Sequence, residues 1–163
     1  MDITTAKIEE MDVVRALFRE YQQWLGIDLC FQNFEKELHE LPGCYQEPEG
    51  AIFLAKEEGQ IVGCIAIRPR SGNEAELKRL YVMPKAQGKG FGKLLLAHAL
   101  QIAHSMGYES VVLDTLPIMK AAKTLYIGFG FKKIEPYYNN PLEGVEYYRR
   151  DSAQTSNSPA QLD

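Results

Sequence analysis

Hydrophobic positions along this chain switch repeatedly between a period of two and a period of three to four. Ile3 and Ala6–Ile8 are strand-like, and Val13, Val14, Leu17, Phe18, Tyr21, Trp24 and Leu25 then recur at three- and four-residue spacing. That spacing predicts an amphipathic helix, ended by Gly26. A second helix is expected from about Gln32 to Leu41, stopped by Pro42-Gly43. Ala51–Lys56 and Gln60–Arg68 are apolar runs on either side of Glu57-Glu58-Gly59, a hairpin signal, and Ser71-Gly72-Asn73 marks the tip of a second turn. Leu77, Leu80, Tyr81 and Val82 make the next strand, which Pro84 ends because it cannot donate to a sheet. Leu94, Leu95, Ala99, Ile102, Ala103 and Met106 return to helical spacing as far as Gly107. Ser110–Leu113 reads as a buried strand, Met119–Ile127 as a short helix closed by Gly128 and Gly130, and Phe131–Ile134 and Val145–Arg149 as the last strands. Three antiparallel strands followed by a helical crossover predict an α/β fold with a mixed sheet.

Composition narrows the class. A chain of 163 residues with 45% hydrophobic and 25% charged side chains is expected to form one domain, residues 1–150, with a real core. The tail, residues 151–163, is Ser, Gln, Asn and Pro with little to bury and is expected to be disordered. No N-terminal segment is basic and followed by an apolar run, and no apolar stretch approaches the ~20 residues of a membrane helix. A cytoplasmic protein without a signal peptide is therefore expected, acting away from membranes. Cys30, Cys44 and Cys64 have no metal or redox spacing and are expected to be reduced and structural. A net charge of −4 argues against nucleic acid as the main partner. His39, His98 and His104 show no pairing at metal spacing, so no metal is expected.

The stretch Glu76–Lys93 organises the rest. A strand runs through Met83-Pro84-Lys85-Ala86 into Gln87-Gly88-Lys89-Gly90-Phe91-Gly92-Lys93 and then into the long helix. The first turn of a helix leaves N–H groups without partners and carries partial positive charge. Glycines remove the Cβ atoms that would block an approaching anion, and Lys89 and Lys93 add full charge. The reading is a phosphate or pyrophosphate cradle. A Walker loop is excluded because Lys93 is followed by Leu94 rather than Ser or Thr. A dinucleotide fingerprint is excluded because Gly88, Gly90 and Gly92 are one residue short and too late in the chain.

What remains is Gln87-x-x-Gly90-x-Gly92, with Glu76 eleven positions before Gln87 and Leu125-Tyr126 … Gly130-Phe131 further on. This set resembles the acyl-CoA loop and flanking motifs of the GNAT superfamily of N-acetyltransferases. The resemblance covers roughly Ile3 to Arg150. It implies a mixed, mostly antiparallel sheet splayed at the cofactor site and flanked by helices. It implies acetyl-CoA as co-substrate, the pantetheine arm pairing with the backbone of Leu80, Tyr81 and Val82. The pyrophosphate would rest on the amides of Gln87, Gly88, Lys89, Gly90, Phe91, Gly92 and Lys93. Many relatives carry Asn where this chain has Met119. That departure weakens one cofactor contact and leaves Lys120 or Lys123 as partners of the nucleotide phosphate.

Acetyl transfer to an amine needs a base, oxyanion donors and a proton for the departing thiolate. Glu76, on the strand leading to the loop, is the candidate base or amine-positioning group; the plain alternative is a strand carboxylate paired with Lys78 or Arg79. Its expected setting is a partly apolar cleft. Tyr126 is the candidate acid. A phenol of pKa roughly 10 lies near a thiol at about 8.5, and by resemblance its hydroxyl faces the cofactor sulfur; the alternative is a packing tyrosine. None of the cysteines lies in the motif region, which favours direct attack of the amine through a ternary complex over an acyl-cysteine route. Tyr21, Trp24, Phe31 and Phe34 could wall a substrate pocket or simply be core. Asp114-Thr115 could line the cleft or cap the next helix. Tyr137, Tyr138, Asn139, Asn140 and Pro141 could bind the acceptor or be a turn. The acceptor is expected to be a small-molecule or peptide amine, and a homodimer is compatible with the resemblance. A non-catalytic acyl-CoA-binding module is the alternative class.

Overall fold

The computed structural model describes residues 1–27, 29 and 33–152. Among them, seven strands form one sheet: β1 (Asp2–Thr5), β2 (Ala51–Glu57), β3 (Gln60–Ser71), β4 (Glu74–Val82), β5 (Ser110–Thr115), β6 (Lys132–Ile134) and β7 (Glu146–Asp151). Four helices flank it: α1 (Met11–Leu25), α2 (Phe34–Glu40), α3 (Phe91–Ser105) and α4 (Lys120–Gly128). The strand order is β1-β2-β3-β4-β5-β7-β6, antiparallel throughout except for β4 against β5. The expected α/β class and the mixed, mostly antiparallel sheet are what is found. Part of the expected second helix, Cys30, Phe31 and the tail from 153 onward lie outside the described residues.

The central strands are covered on both faces, so they read as continuous apolar runs. Phe53, Ile65, Ile67, Ala75 and Leu77 face α3, whose buried stripe is Phe91, Leu95, Leu96, Ala99, Leu100 and Ala103. Ile52, Leu54, Cys64 and Ala66 face α1, whose stripe is Met11, Val14, Leu17, Phe18, Tyr21 and Leu25. Gly26, in the left-handed conformation at φ 68°, ends α1 as its position suggests. Ala6–Ile8, expected to belong to the first strand, lies outside it: β1 stops at Thr5, and Ile8 opens a 3-10 turn, Ile8–Glu10, leading into α1.

The sheet opens at β4. Its parallel pairing with β5 runs only through Glu74, Ala75 and Glu76, opposite Ser110, Val111 and Val112. From Leu77 to Val82 the strand continues along β3 alone, while β5 continues along β7 to Thr115. Between Lys78 and Tyr81 one extra residue is inserted against Cys64–Ala66 of β3. Arg79 sits in this bulge at φ 61°, which a non-glycine residue adopts rarely. The insertion changes the side-chain alternation. Lys78 before it and Tyr81 after it both lie on the α1 face, opposite Ala66 and Cys64. Arg79 also turns to that face, where its guanidinium forks onto Glu37 of α2 at 3.0 Å through both Nε and Nη2.

Candidate active site

Two cavities meet where β4 leaves β5. The first is a groove of about 680 Å³ bounded by Leu80, Tyr81 and Val82, by the loop and first turn of α3 from Gln87 to Lys93, and by Ala121, Ala122 and Leu125 of α4. Trp24 and Ile118, 40% and 54% exposed, form apolar lips on it. The second cavity lies deeper and is lined by Tyr21, Lys78, Arg79, Asp114, Tyr126 and Asn140 among apolar side chains. Leu80 and Met119 line both.

The floor of the groove is backbone. Gly88 and Gly90 adopt φ of 81° and 92°, and Gly90 is the N-cap of α3 without any side-chain cap. Leu94 N–H to Gly90 O, 3.1 Å, opens the helical ladder, so the amides of Phe91 to Lys93 precede it. Gly92 has helical geometry, and a Cβ there would stand 3.2 Å from Leu125 Cδ1, against the wall of the groove. The Gln87 side chain donates to Val82 O at 2.9 Å and ties the loop to the end of β4. These features suit a long ligand with an amide-bearing arm and a pyrophosphate: an open strand edge for the amides, a bare helix start for the charge.

Of the expected cofactor residues, Leu80, Tyr81, Val82, Gln87, Gly88, Gly90, Phe91, Gly92 and Lys93 gather at this groove. Lys89 and Lys123 do not. The Lys89 ammonium turns to Glu57 at 3.1 Å, and Lys123 to Glu146 at 2.5 Å, because each finds a carboxylate nearby on the surface. Met119, at the position where an Asn was expected, is buried and packs with α1, its sulfur 4.0 Å from the Tyr21 hydroxyl.

Tyr126 is buried in the second cavity, its ring edge-on to Phe131 with centroids 5.7 Å apart. Burial raises its phenol above the ordinary value, with Tyr21 and Asp114 adding to the effect, so it holds its proton at neutral pH. Glu76 is differently placed from the partly apolar cleft expected of it. It is buried on the α1 face, opposite Arg68 of β3, and does not line either cavity. Its Oε1 accepts Arg68 Nε at 2.9 Å and meets Nη2 at 2.8 Å. Its Oε2 accepts the Tyr137 hydroxyl at 2.5 Å and lies 4.0 Å from Lys78 Nζ. The partners are ionic and phenolic, and the cation opposite is Arg68 rather than Arg79.

Two groups gain weight from the structure. Lys78 is buried on the same face as Glu76, and burial pulls its ammonium pKa down, against the pull of Asp114. Its Nζ is 3.9 Å from Asp114 Oδ1. Asp114 Oδ2 accepts hydrogen bonds from the Tyr138 hydroxyl and from Asn140 Nδ2. Burial, then Glu76, raises the Tyr137 phenol; burial, then Asp114, raises that of Tyr138. The polar loop Tyr137–Asn140 is therefore pinned over the second cavity by two phenol–carboxylate contacts. The even spacing of Glu76 and Lys78 on one strand was the available signal for this cluster, since residues two apart share a face.

A sheet parted at one parallel strand pair, with a glycine-capped helix start beside the gap, defines an acyltransferase fold of the N-acetyltransferase type. The family model described as acetyltransferase (GNAT) family matches residues 12–131, and the chain belongs to that family. An uncharacterized N-acetyltransferase of Schizosaccharomyces pombe is 40% identical over 157 residues, covering 94% of this chain and 96% of that protein. The uncharacterized N-acetyltransferase YjgM of Escherichia coli is 33% identical over 126 residues, 76% of this chain and 74% of its own. Among solved structures, a GNAT-family acetyltransferase of Staphylococcus aureus superposes with a TM-score of 0.76 at 21% identity, covering 92% of this chain and 98% of that one. A PaiA N-acetyltransferase of Thermoplasma acidophilum in complex with coenzyme A gives 0.70 at 22% identity, covering 93% and 99%. At these identities the two superpositions speak to the fold.

Proposed function

We propose that this chain transfers an acetyl group from acetyl-CoA to a primary amine, by direct attack in a ternary complex. The observation that carries the reading is the union of the two cavities at Leu80 and Met119, one built of open backbone and one of buried polar groups. The fold neighbour solved with coenzyme A supports the choice of co-substrate. Acetyl-CoA supplies a thioester already activated for attack; the residues supply position and protons.

Leu80, Tyr81 and Val82 offer the unpaired edge of β4 to the amide-bearing arm. The amides from Gln87 to Lys93, with the start of the α3 dipole, hold the pyrophosphate. Lys93 stays with the loop as a charge partner, while Lys89 and Lys123 must first leave Glu57 and Glu146 to contribute. Tyr126 donates a proton to the departing thiolate; burial keeps the phenol protonated, while its raised pKa makes it a weaker acid than an exposed tyrosine. Glu76 acts through position: it holds the Tyr137 loop and the charge around Lys78. Asp114, on the wall of the second cavity, is the carboxylate that orients the amine and accepts the proton its nitrogen loses as the bond to the acetyl carbon forms and the C–S bond breaks.

Calorimetric titration with acetyl-CoA, with ATP and NAD as controls, tests the reading. Saturable binding of acetyl-CoA alone is the expected result; preference for ATP or NAD would remove the co-substrate on which the catalytic roles depend.

A further inference from the structure

Met119 stands where the motif led one to expect Asn, and its place in the fold gives it a different task. Its backbone caps the start of α4: its N–H donates to Leu116 O at 2.9 Å, and its carbonyl accepts Lys123 N–H at 3.0 Å. The side chain is thereby rooted at a fixed point. It is buried and runs into the core on the α1 face, its sulfur 4.0 Å from the Tyr21 hydroxyl. Tyr21 lines the second cavity, and Met119 lines both that cavity and the groove. Leu80, which also lines both, packs instead with the core on the α3 face. The cavity behind Met119 is small, about 30 Å³, which is room for one or two water-sized groups. Its polar walls are held by partners: Arg79 by its fork onto Glu37 at 3.0 Å, Asp114 by Tyr138 and Asn140. Tyr126 is held by its ring contact with Phe131.

We propose that Met119 sets the length of the acyl group this site accepts: acetyl fits, and its thioether shuts out butyryl and longer chains. This rests on the acetyl-transfer reading and fixes the donor side of the same site. With the arm along Leu80 to Val82 and the sulfur in front of Tyr126, the acyl carbons pass Met119 into the second cavity. One water-sized space there takes the acetyl methyl. What is left is needed by the amine nitrogen beside Asp114. Each further methylene must push packed side chains aside, and a packed interior resists such overfilling. Met119 is the wall that decides the limit because it is the one that can be trimmed without stripping a charge of its partner. Its side chain is unbranched and apolar, and its sulfur accepts at most a weak contact from Tyr21. An Asn in its place would be shorter and polar.

The experiment is calorimetric titration of the full chain with acetyl-CoA, propionyl-CoA and butyryl-CoA, which requires no knowledge of the acceptor. The expected result is a Kd for butyryl-CoA at least about tenfold above that for acetyl-CoA, with propionyl-CoA between them. In Met119→Ala the butyryl-to-acetyl ratio should fall below about threefold, because the removed thioether leaves space for the longer chain. Met119→Leu, of similar volume, should keep the wild-type ratio. Thermal melting of the same samples reports whether each variant folds. If Met119→Ala does not, Met119→Val, which trims less, should lower the ratio in the same direction. Equal wild-type affinities for the three acyl-CoAs would overturn the inference while leaving acetyl-CoA binding, and with it the parent reading, intact. Discrimination that persists undiminished in a folded Ala or Val variant would overturn the part given to Met119. Absence of saturable binding of any acyl-CoA would overturn the parent reading and this one together.

Discussion

Gly92 separates what the groove needs from what the fold needs. Its backbone is helical, so a side chain brings no strain from φ. In a helix, Gly→Ala is worth up to about 1 kcal/mol in favour of Ala. Against that stands a Cβ 3.2 Å from Leu125 Cδ1, the end of a flexible side chain, which must give by a few tenths of an ångström. The two effects leave Gly92→Ala within about 0.5 kcal/mol of the parent, a melting shift of about 2 °C or less for a chain of this size. The ligand groove experiences the same substitution differently. Leu125 forms its wall, so anything larger than a methyl must push Leu125 into the groove or occupy the groove itself. Gly92→Leu should therefore fold but bind acetyl-CoA at least tenfold more weakly, about 1.4 kcal/mol. Thermal melting and calorimetric titration on the same samples measure both quantities. A folded Gly92→Leu protein that binds acetyl-CoA as tightly as the parent would refute the placement of the ligand against the first turn of α3.

Tyr126→Phe keeps the ring packed on Phe131 and removes only the hydroxyl, so kcat should fall about 100-fold with the KM for acetyl-CoA little changed, as steady-state kinetics would show. Glu37→Ala takes the carboxylate from the buried Arg79 fork and should cost about 3 kcal/mol in urea unfolding; a loss under 1 kcal/mol would contradict the weight given to that pair. In the native protein at pH 8, exposed Cys44 should react with iodoacetamide while Cys64 stays unmodified by mass spectrometry, since Cys64 is buried and burial pushes its thiol up to about 12. That raised value also sets a sign. The stability linked to Cys64 is whole below its ordinary value of 9.0 and is lost as pH climbs from there toward 12; Cys64→Ala should flatten that part of the stability curve.

The strand, glycine loop and helix from Glu76 to Ser105 were legible because their signals are local: periodicity, a proline stop and a helix start without side chains. So was the hairpin at Glu57–Gly59, where Glu58 and Gly59 both take positive φ and Glu57 pairs with Gln60. The bulge at Arg79 was not legible, because a bulge is a property of two strands in register and Leu-Lys-Arg-Leu-Tyr carries no mark of it. The setting of Glu76 was missed for a related reason. Its partners, Arg68 and Tyr137, lie eight and 61 positions away and reach it only through the β3–β4 hairpin and the loop before β7. The partners of Lys89 and Lys123 were not legible either: charge near a phosphate loop is visible in sequence, but the carboxylates of Glu57 and Glu146 that hold those ammonium groups are not.

The central claim is direct transfer of an acetyl group to an amine. The measurement is mass spectrometry of protein and acceptor after incubation with isotopically labelled acetyl-CoA and a panel of small-molecule and peptide amines. Label should appear on an acceptor amine, with CoA released in equal amount and the protein itself unlabelled throughout turnover. Label retained on the protein as an acyl intermediate, or acetyl-CoA bound and returned intact with every acceptor, would contradict it.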